Sequence, residues 1–287
     1  MSPIADLPFR IGYNTNGFAH HRLEDALHVI AELGYRAVAL TPDANHLPPD
    51  HTSDAQLRGV RALLERLDLA VVIETGARYV LDPRRKHRPT LLERDPADRA
   101  RRLDFLERCA RICADLGGDT ISLWSGVLPA EVAADDAWRF LADGVARLGE
   151  RVQPLGVRIA FEPEPGMLVS SLADWERLRD ALGNPAFGLT LDVGHVPCTE
   201  RISAPDAIRR YDTALRTVHL DDTRGGVHEH LQIGDGQLDW PAVLRALRDA
   251  GFTGIASVEL SRHSHAAPEA ARVAMERLSE ADRRGWE

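Results

Sequence analysis

Cysteine is scarce in this chain. Three residues in 287 are too few for a disulfide-stapled framework, and Cys109 and Cys113 stand four apart in a helical pattern where both read as packing residues. A reducing, cytoplasmic setting is the expectation. Long apolar runs are missing too: no stretch approaches the ~20 residues that span a bilayer, and residues 1–10 hold no apolar run behind a basic start. Neither export nor a membrane partner is expected. Positive charge is in deficit, with 44 acidic against 35 basic side chains and a formal charge of -9. Such a field repels phosphate backbones, which makes nucleic acid a poor partner. No Pro- or Ser-rich tract interrupts a composition of 44% apolar and 28% charged residues, that of a folded, enzyme-sized chain.

What the sequence has is a repeated alternation of short apolar runs with amphipathic segments of about 10 to 20 residues, the pattern of βα units around a parallel sheet. Strands are expected at 9–13, 37–40, 70–74, 120–123, 158–161, 188–191, 216–220 and 254–259. Helices are expected to begin near Leu23, Ala55, Ala97, Asp135, Leu172, Pro205, Trp240 and Pro268. Eight of each, with no linker composition between them, predict one α/β domain over residues 1–287, a (β/α)8 TIM barrel. Glycines in ELGY, DLGGD, PLGV and DAGF stand where a left-handed residue ends a helix. The longest insertion after a strand, residues 78–95, carries six Lys or Arg and reads as a mobile loop or lid.

A parallel barrel gathers the C-terminal ends of its strands on one face. Strand five ends in FEPEPG with Glu162, strand six in LDVGH with Asp192, strand seven in VHLDD with His219 and strand eight in SVEL with Glu259. Three carboxylates and an imidazole are mostly hard donors, suited to one divalent ion, Mn2+, Mg2+ or Co2+, with Zn2+ also possible. Such an ion polarises a carbonyl and stabilises an enediolate beside it, while Glu162 and Glu259 can take and return a proton. An acidic residue at a strand end also serves as a helix cap or ion-pair partner. Three such residues and a histidine at four successive strand ends point to a site.

These motifs, followed by the GDGQLDWPAVLRALRDAGFTG segment, resemble the xylose isomerase-like barrel superfamily of sugar isomerases and epimerases, which also holds inosose dehydratases, hydroxypyruvate isomerases and an apurinic endonuclease branch. The resemblance covers nearly the whole length and is strongest in the second half. It implies that Glu162, Asp192, His219 and Glu259 ligate the metal, that the two glutamates are acid and base, that His195 supports the ligands from behind or contacts substrate, and that His230 contacts substrate. Homo-oligomerisation is a further implication.

Other residues have two readings. Glu164 is the alternative to Glu162. Asp221 and Asp222 orient His219 or cap the following loop. His228 and His230, around Glu229, add a second metal as in the endonuclease branch or form a polar loop. Trp124, Asn14, Asn16 and Tyr13 line a pocket or pack in the core, and His263 touches substrate or solvent. The cations of the long loop receive an anion or are solvated, and the solvated reading is preferred. The function expected is a metal-dependent sugar or polyol isomerase or epimerase acting on a small polyhydroxylated carbonyl compound. A dehydratase or lyase on an inosose-like ring is the near alternative. An abasic-DNA phosphodiesterase or a non-catalytic binding barrel is less favoured, the former because strands two and three end without the histidines a zinc cluster needs.

Overall fold

The computed structural model describes residues 3–76, 78–184 and 187–285. Eight parallel strands close into a barrel: β1 (Arg10–Asn14), β2 (Ala37–Leu40), β3 (Ala70–Glu74), β4 (Thr120–Leu123), β5 (Arg158–Phe161), β6 (Gly188–Asp192), β7 (Leu215–Leu220) and β10 (Ile255–Val258). They run around it in the order β1-β10-β7-β6-β5-β4-β3-β2. The expected eight-strand barrel is the observed fold. Outside it lie α1 (Leu23–Glu32), α2 (Asp54–Arg66), α3 (Pro96–Asp115), α4 (Ala134–Val152), α5 (Leu172–Leu182), α6 (Val196–Thr199), α7 (Ala204–Arg210), α8 (Trp240–Asp249) and α9 (Ala267–Arg284).

Each βα unit is punctuated locally. Ser53 and Gln56 form a reciprocal capping box at the start of α2, and Ser171 with Asp174 does the same for α5. Gly34 and Gly117, with φ of 94° and 84°, end α1 and α3 in conformations that a Cβ would strain. The helices bury one face against the outside of the sheet, where Leu27, Ile30, Leu64, Phe105, Leu141, Trp175 and Leu247 belong to one continuous core. The inside is filled separately by small side chains, with Ala37, Ala39, Val72 and Ile255 forming their own cluster.

Strand period fixes what points into the barrel, because residues two apart share a face. Above the small apolar layer comes a layer of hydroxyls, in which Thr190 Oγ1 donates to Ser122 Oγ at 2.9 Å and Thr217 Oγ1 to the Ile255 carbonyl at 3.1 Å. Two residues further along lie Asp192 and His219, directly paired in register on β6 and β7.

The structure adds a feature that the sequence reading passed over: β8 (Asp222–Arg224) and β9 (Val227–Leu231) form an antiparallel hairpin over the mouth. Its turn is Gly225-Gly226, both at positive φ. A two-residue Gly-Gly turn between strands is a recognised hairpin signal. His228 and His230 therefore stand on a strand, not in a loop. Among the described residues no helix is long and apolar enough to cross a membrane.

Candidate metal centre

Glu162, Asp192, His219 and Glu259 offer ligand atoms that all lie within 4.8 Å of one another. His219 stands at the centre: its Nδ1 is 3.1 Å from Glu162 Oε1 and 2.8 Å from Glu259 Oε2. Asp192 Oδ1 accepts the backbone N–H groups of Gly194 and His195, while its Oδ2, buried, has no hydrogen-bond partner among the described residues. An orphaned buried carboxylate oxygen is costly unless a cation takes it up. The donor set thus fits a divalent ion.

The neighbourhood carries too much negative charge for one imidazole. Burial pushes the Glu162 carboxyl up to about 8 against the pull of His219. Burial also raises Asp192, well above the carboxylate range, with Asp221 adding to it. Burial acts the same way on Glu259, but His219 and the Asn16 amide outweigh it and hold that carboxyl below its ordinary value. Two glutamates thus meet at one imidazole.

Glu74 at the end of β3 is a site residue that the sequence reading missed. It is buried, and its Oε1 accepts from His219 Nε2 at 2.9 Å. A carboxylate on one ring nitrogen fixes the ring and frees the other nitrogen as a ligand. The rule that selected the other four, a polar residue ending a strand, also selects Glu74. The orienting role expected of Asp221 and Asp222 toward His219 is taken by Glu74. Asp221 instead contacts His230 Nδ1. Asp222 ties down the loop before α8, accepting from the N–H groups of Gly234, Gln237 and Leu238 and from Trp240 Nε1. Gly194 makes this crowding feasible, since a Cβ there would lie 1.8 Å from Asp221 Oδ1.

A second donor set adjoins the first. Glu164, His195, His228 and His230 also offer ligand atoms within 4.8 Å of one another. The His228 Nε2 is 3.0 Å from that of His195 and 2.9 Å from that of His230. His195 Nδ1 faces the Pro163 carbonyl at 3.3 Å. Glu164 thus stands with the histidines, and Glu162 with the first group.

The mouth opens as a cavity of about 420 Å³ whose wall includes Asn16, Trp124, His228, His230 and Glu259. Trp124 forms a flat side of it, with the edge of His87 against the ring at a centroid distance of 5.2 Å. Asn16 Nδ2 donates to Glu259 Oε1 at 2.8 Å. Asn14 lies outside the wall, fully buried, its Oδ1 accepting from Thr41 Oγ1 and the Asn16 N–H. His195 sits behind the wall against Asp192, and His263 also lies outside it. Segment 78–95 packs over the mouth: Leu81, Leu91 and Leu92 are buried, Arg88 forks onto Glu93 at 2.8 and 2.9 Å, and His87 Nδ1 donates to the Gly76 carbonyl at 2.6 Å.

A family model described as a xylose isomerase-like TIM barrel matches residues 27–281. The chain belongs to that family. Within it, 213 residues are 24% identical to the L-ribulose-5-phosphate 3-epimerase UlaE of Shigella flexneri, covering 74% of this chain and 75% of that protein. The chain is 27% identical over 145 residues to the inosose dehydratase of Lacticaseibacillus casei, covering 44% of this chain and spanning only 47% of that relative's length. A solved IOLI protein with a bound zinc atom shares the fold at a TM-score of 0.76 and 18% identity, covering 95% of this chain and 98% of that one. The relatives are sugar epimerases and dehydratases.

Proposed function

We propose that this protein is a metal-dependent sugar or polyol isomerase or epimerase that moves a proton between carbons next to a carbonyl through an enediolate. The observation that carries the reading is the meeting of Glu162, Asp192, His219 and Glu259 beneath a small-molecule cavity. Those four residues would hold one divalent ion, Mn2+, Mg2+ or Co2+, with Zn2+ also accommodated. When bound, the ion supplies Lewis-acid polarisation of the substrate carbonyl.

The chain's own groups do the rest. Glu259, oriented by the Asn16 amide, and Glu162, which shares His219 with it, take and return the proton. Trp124 walls off water on one side, while His228 and His230 offer ring nitrogens to substrate hydroxyls. If a β-hydroxyl leaves before reprotonation, the same groups give a dehydratase, a reading that the likeness to inosose dehydratase favours as the second choice.

Metal content and solvent-deuterium incorporation test this on one preparation. Wild type should retain at least one divalent ion per chain and carry deuterium from D2O into one of a panel of ketoses, aldoses and inososes at a carbon beside the carbonyl. Loss of water from the substrate would mark the dehydratase. Glu259→Gln should lower the rate by roughly 10³-fold or more, as expected for removing a catalytic base. A protein that binds no metal after reconstitution and exchanges no substrate proton would refute the proposal.

A further inference from the structure

We infer that Arg78 is a positioning residue for Glu259 and acts on it through Asn16, along a chain of contacts that links the loops after β1, β2 and β3 to the end of β10. The inference rests on the proton-transfer reading for what Glu259 does, and on the loop contacts for how it is held.

The four strands concerned are neighbours in the barrel, in the order β10, β1, β2, β3. Glu259 follows the last residue of β10, and its two oxygens have different neighbours: Oε2 lies 2.8 Å from His219 Nδ1, and Oε1 accepts from Asn16 Nδ2 at 2.8 Å. An ionised carboxylate only accepts, so the Asn16 amide has to present its nitrogen. Its Oδ1 is then left buried and without a hydrogen-bond partner among the described residues. An unmet buried acceptor costs stability. Packing alone gives no return for that cost, whereas fixing the plane of a reacting carboxylate does.

Asn16 is held from both sides of its backbone. Its N–H donates to Asn14 Oδ1 at 3.1 Å, where Thr41 Oγ1, just past β2, also donates at 2.9 Å. Its carbonyl accepts from Arg78 Nη2 at 3.0 Å, while Arg78 Nη1 lies 3.9 Å from Asp43 Oδ2. Asp43 is itself fixed in a tight turn after β2, exchanging backbone hydrogen bonds with His46 at 3.0 and 2.9 Å. The turn that carries Asn16 also presses on the residue after Glu259: a Cβ at Gly17 would lie 3.2 Å from the Leu260 carbonyl.

The solvated reading of the long loop's cations describes Arg84, Arg85 and Lys86, which are exposed, but not Arg78, whose side chain is 23% exposed. A planar guanidinium with one nitrogen on a carbonyl and another facing a carboxylate holds two loops at a set spacing, which a flexible ammonium does not. Arg78 opens the segment that packs over the mouth, so the placement of that segment is transmitted to Glu259 through Asn16. A catalytic group misplaced by about 1 Å loses on the order of 10²-fold in rate.

The test is a double-mutant cycle in the D2O exchange assay, with the divalent ion saturating. Asn16→Ala should lower kcat roughly 10²-fold, and Arg78→Met roughly tenfold, each with KM little changed, because the interaction is one that serves the transition state. The double variant should be no slower than Asn16→Ala alone, since both act on Glu259 by one route. Arg78→Lys, which keeps a donor for the carbonyl, should recover part of the loss. Losses that multiply in the double variant, or an Arg78→Met that raises KM and leaves kcat intact, would overturn the inference; the latter would make Arg78 a substrate contact. If wild type exchanges no substrate proton, the proton-transfer reading fails. Amide hydrogen exchange at residues 15–18 then decides the tie by itself: it should be faster in Arg78→Met than in wild type, and equal rates would remove Arg78 from the chain of contacts.

Discussion

At the N-terminal end of the barrel, charges meet in water. Arg158 pairs with Asp119, Arg61 with Glu65 at 3.0 Å and Arg10 with Asp68 at 3.8 Å, every one of these side chains about half exposed or more. At the C-terminal end, Glu74, Glu162, Asp192 and His219 are each no more than 6% exposed, and their charges crowd one imidazole. Exposed pairs contribute about 0–1 kcal/mol each. Burying a carboxylate costs several kcal/mol unless it is paired and hydrogen-bonded. A larger cavity, about 640 Å³, lies at the N-terminal end among its exposed arginines, so size does not mark the site. What marks it is charge held where the fold alone gains nothing from it.

The largest departure between the two ends is expected at Glu74. Glu74→Ala should weaken divalent-metal binding by about 10- to 100-fold, the usual range for removing a carboxylate that steadies a ligating histidine. Glu74→Gln, which keeps an acceptor, should recover part of the loss. Competition titration with a chromophoric chelator reads both, and unchanged affinity in the alanine variant would remove Glu74 from the centre.

A pH effect of intermediate size should appear at the mouth and not at the far end. Burial first, then Lys86, Arg102 and Arg78, pushes the His87 ring down to about 4, against the Gly76 carbonyl that favours its charge. Between that value and the ordinary ~6.5 of an unfolded histidine, the unfolded segment binds more protons than the folded one. The anchoring by His87 is therefore complete above about pH 6.5 and is lost as pH falls toward 4. Hydrogen exchange across residues 78–95, corrected for intrinsic rates, should rise in that window, and His87→Phe should blunt the rise. Equal loosening of the helices beside β3 and β4 at the opposite end would erase the contrast.

The smallest effect is expected at that opposite end. Arg158→Ala removes an exposed partner of Asp119 and should cost less than about 1 kcal/mol in denaturant unfolding. Metal content and turnover should stay as in wild type. A loss of several kcal/mol would show that the N-terminal pairs are structural after all.

Much of the centre was legible because local rules govern it. Period two within a strand sends Glu162, Asp192 and Glu259 to the same side as Ala160, Thr190 and Ser257, and a parallel barrel brings all strand C-termini to one mouth. Glu74 obeys the same rule, yet no neighbouring motif drew attention to it. Its partner His219 is 145 residues away, a separation bridged only when the barrel closes. Asn14 and Asn16 show how fine the distinction is: two residues decide whether an amide is buried on Thr41 or reaches Glu259. The Gly225-Gly226 turn was readable, but its consequence, His228 and His230 carried over the mouth beside His195, needed the hairpin to be docked on the barrel.

The sequence by itself determined the barrel and the four strand-end residue types of the candidate centre, because helix and strand periods, glycine stops and strand-end polarity are properties of short segments. The tertiary structure alone decided which partner each charged group takes. Glu74 goes to His219, Asp221 to His230, Arg88 to Glu93 and Arg78 to Asp43. These pairings depend on strand register and loop docking, which set distances between residues far apart in the chain, and electrostatic energies inside a protein are decided by those distances and by burial.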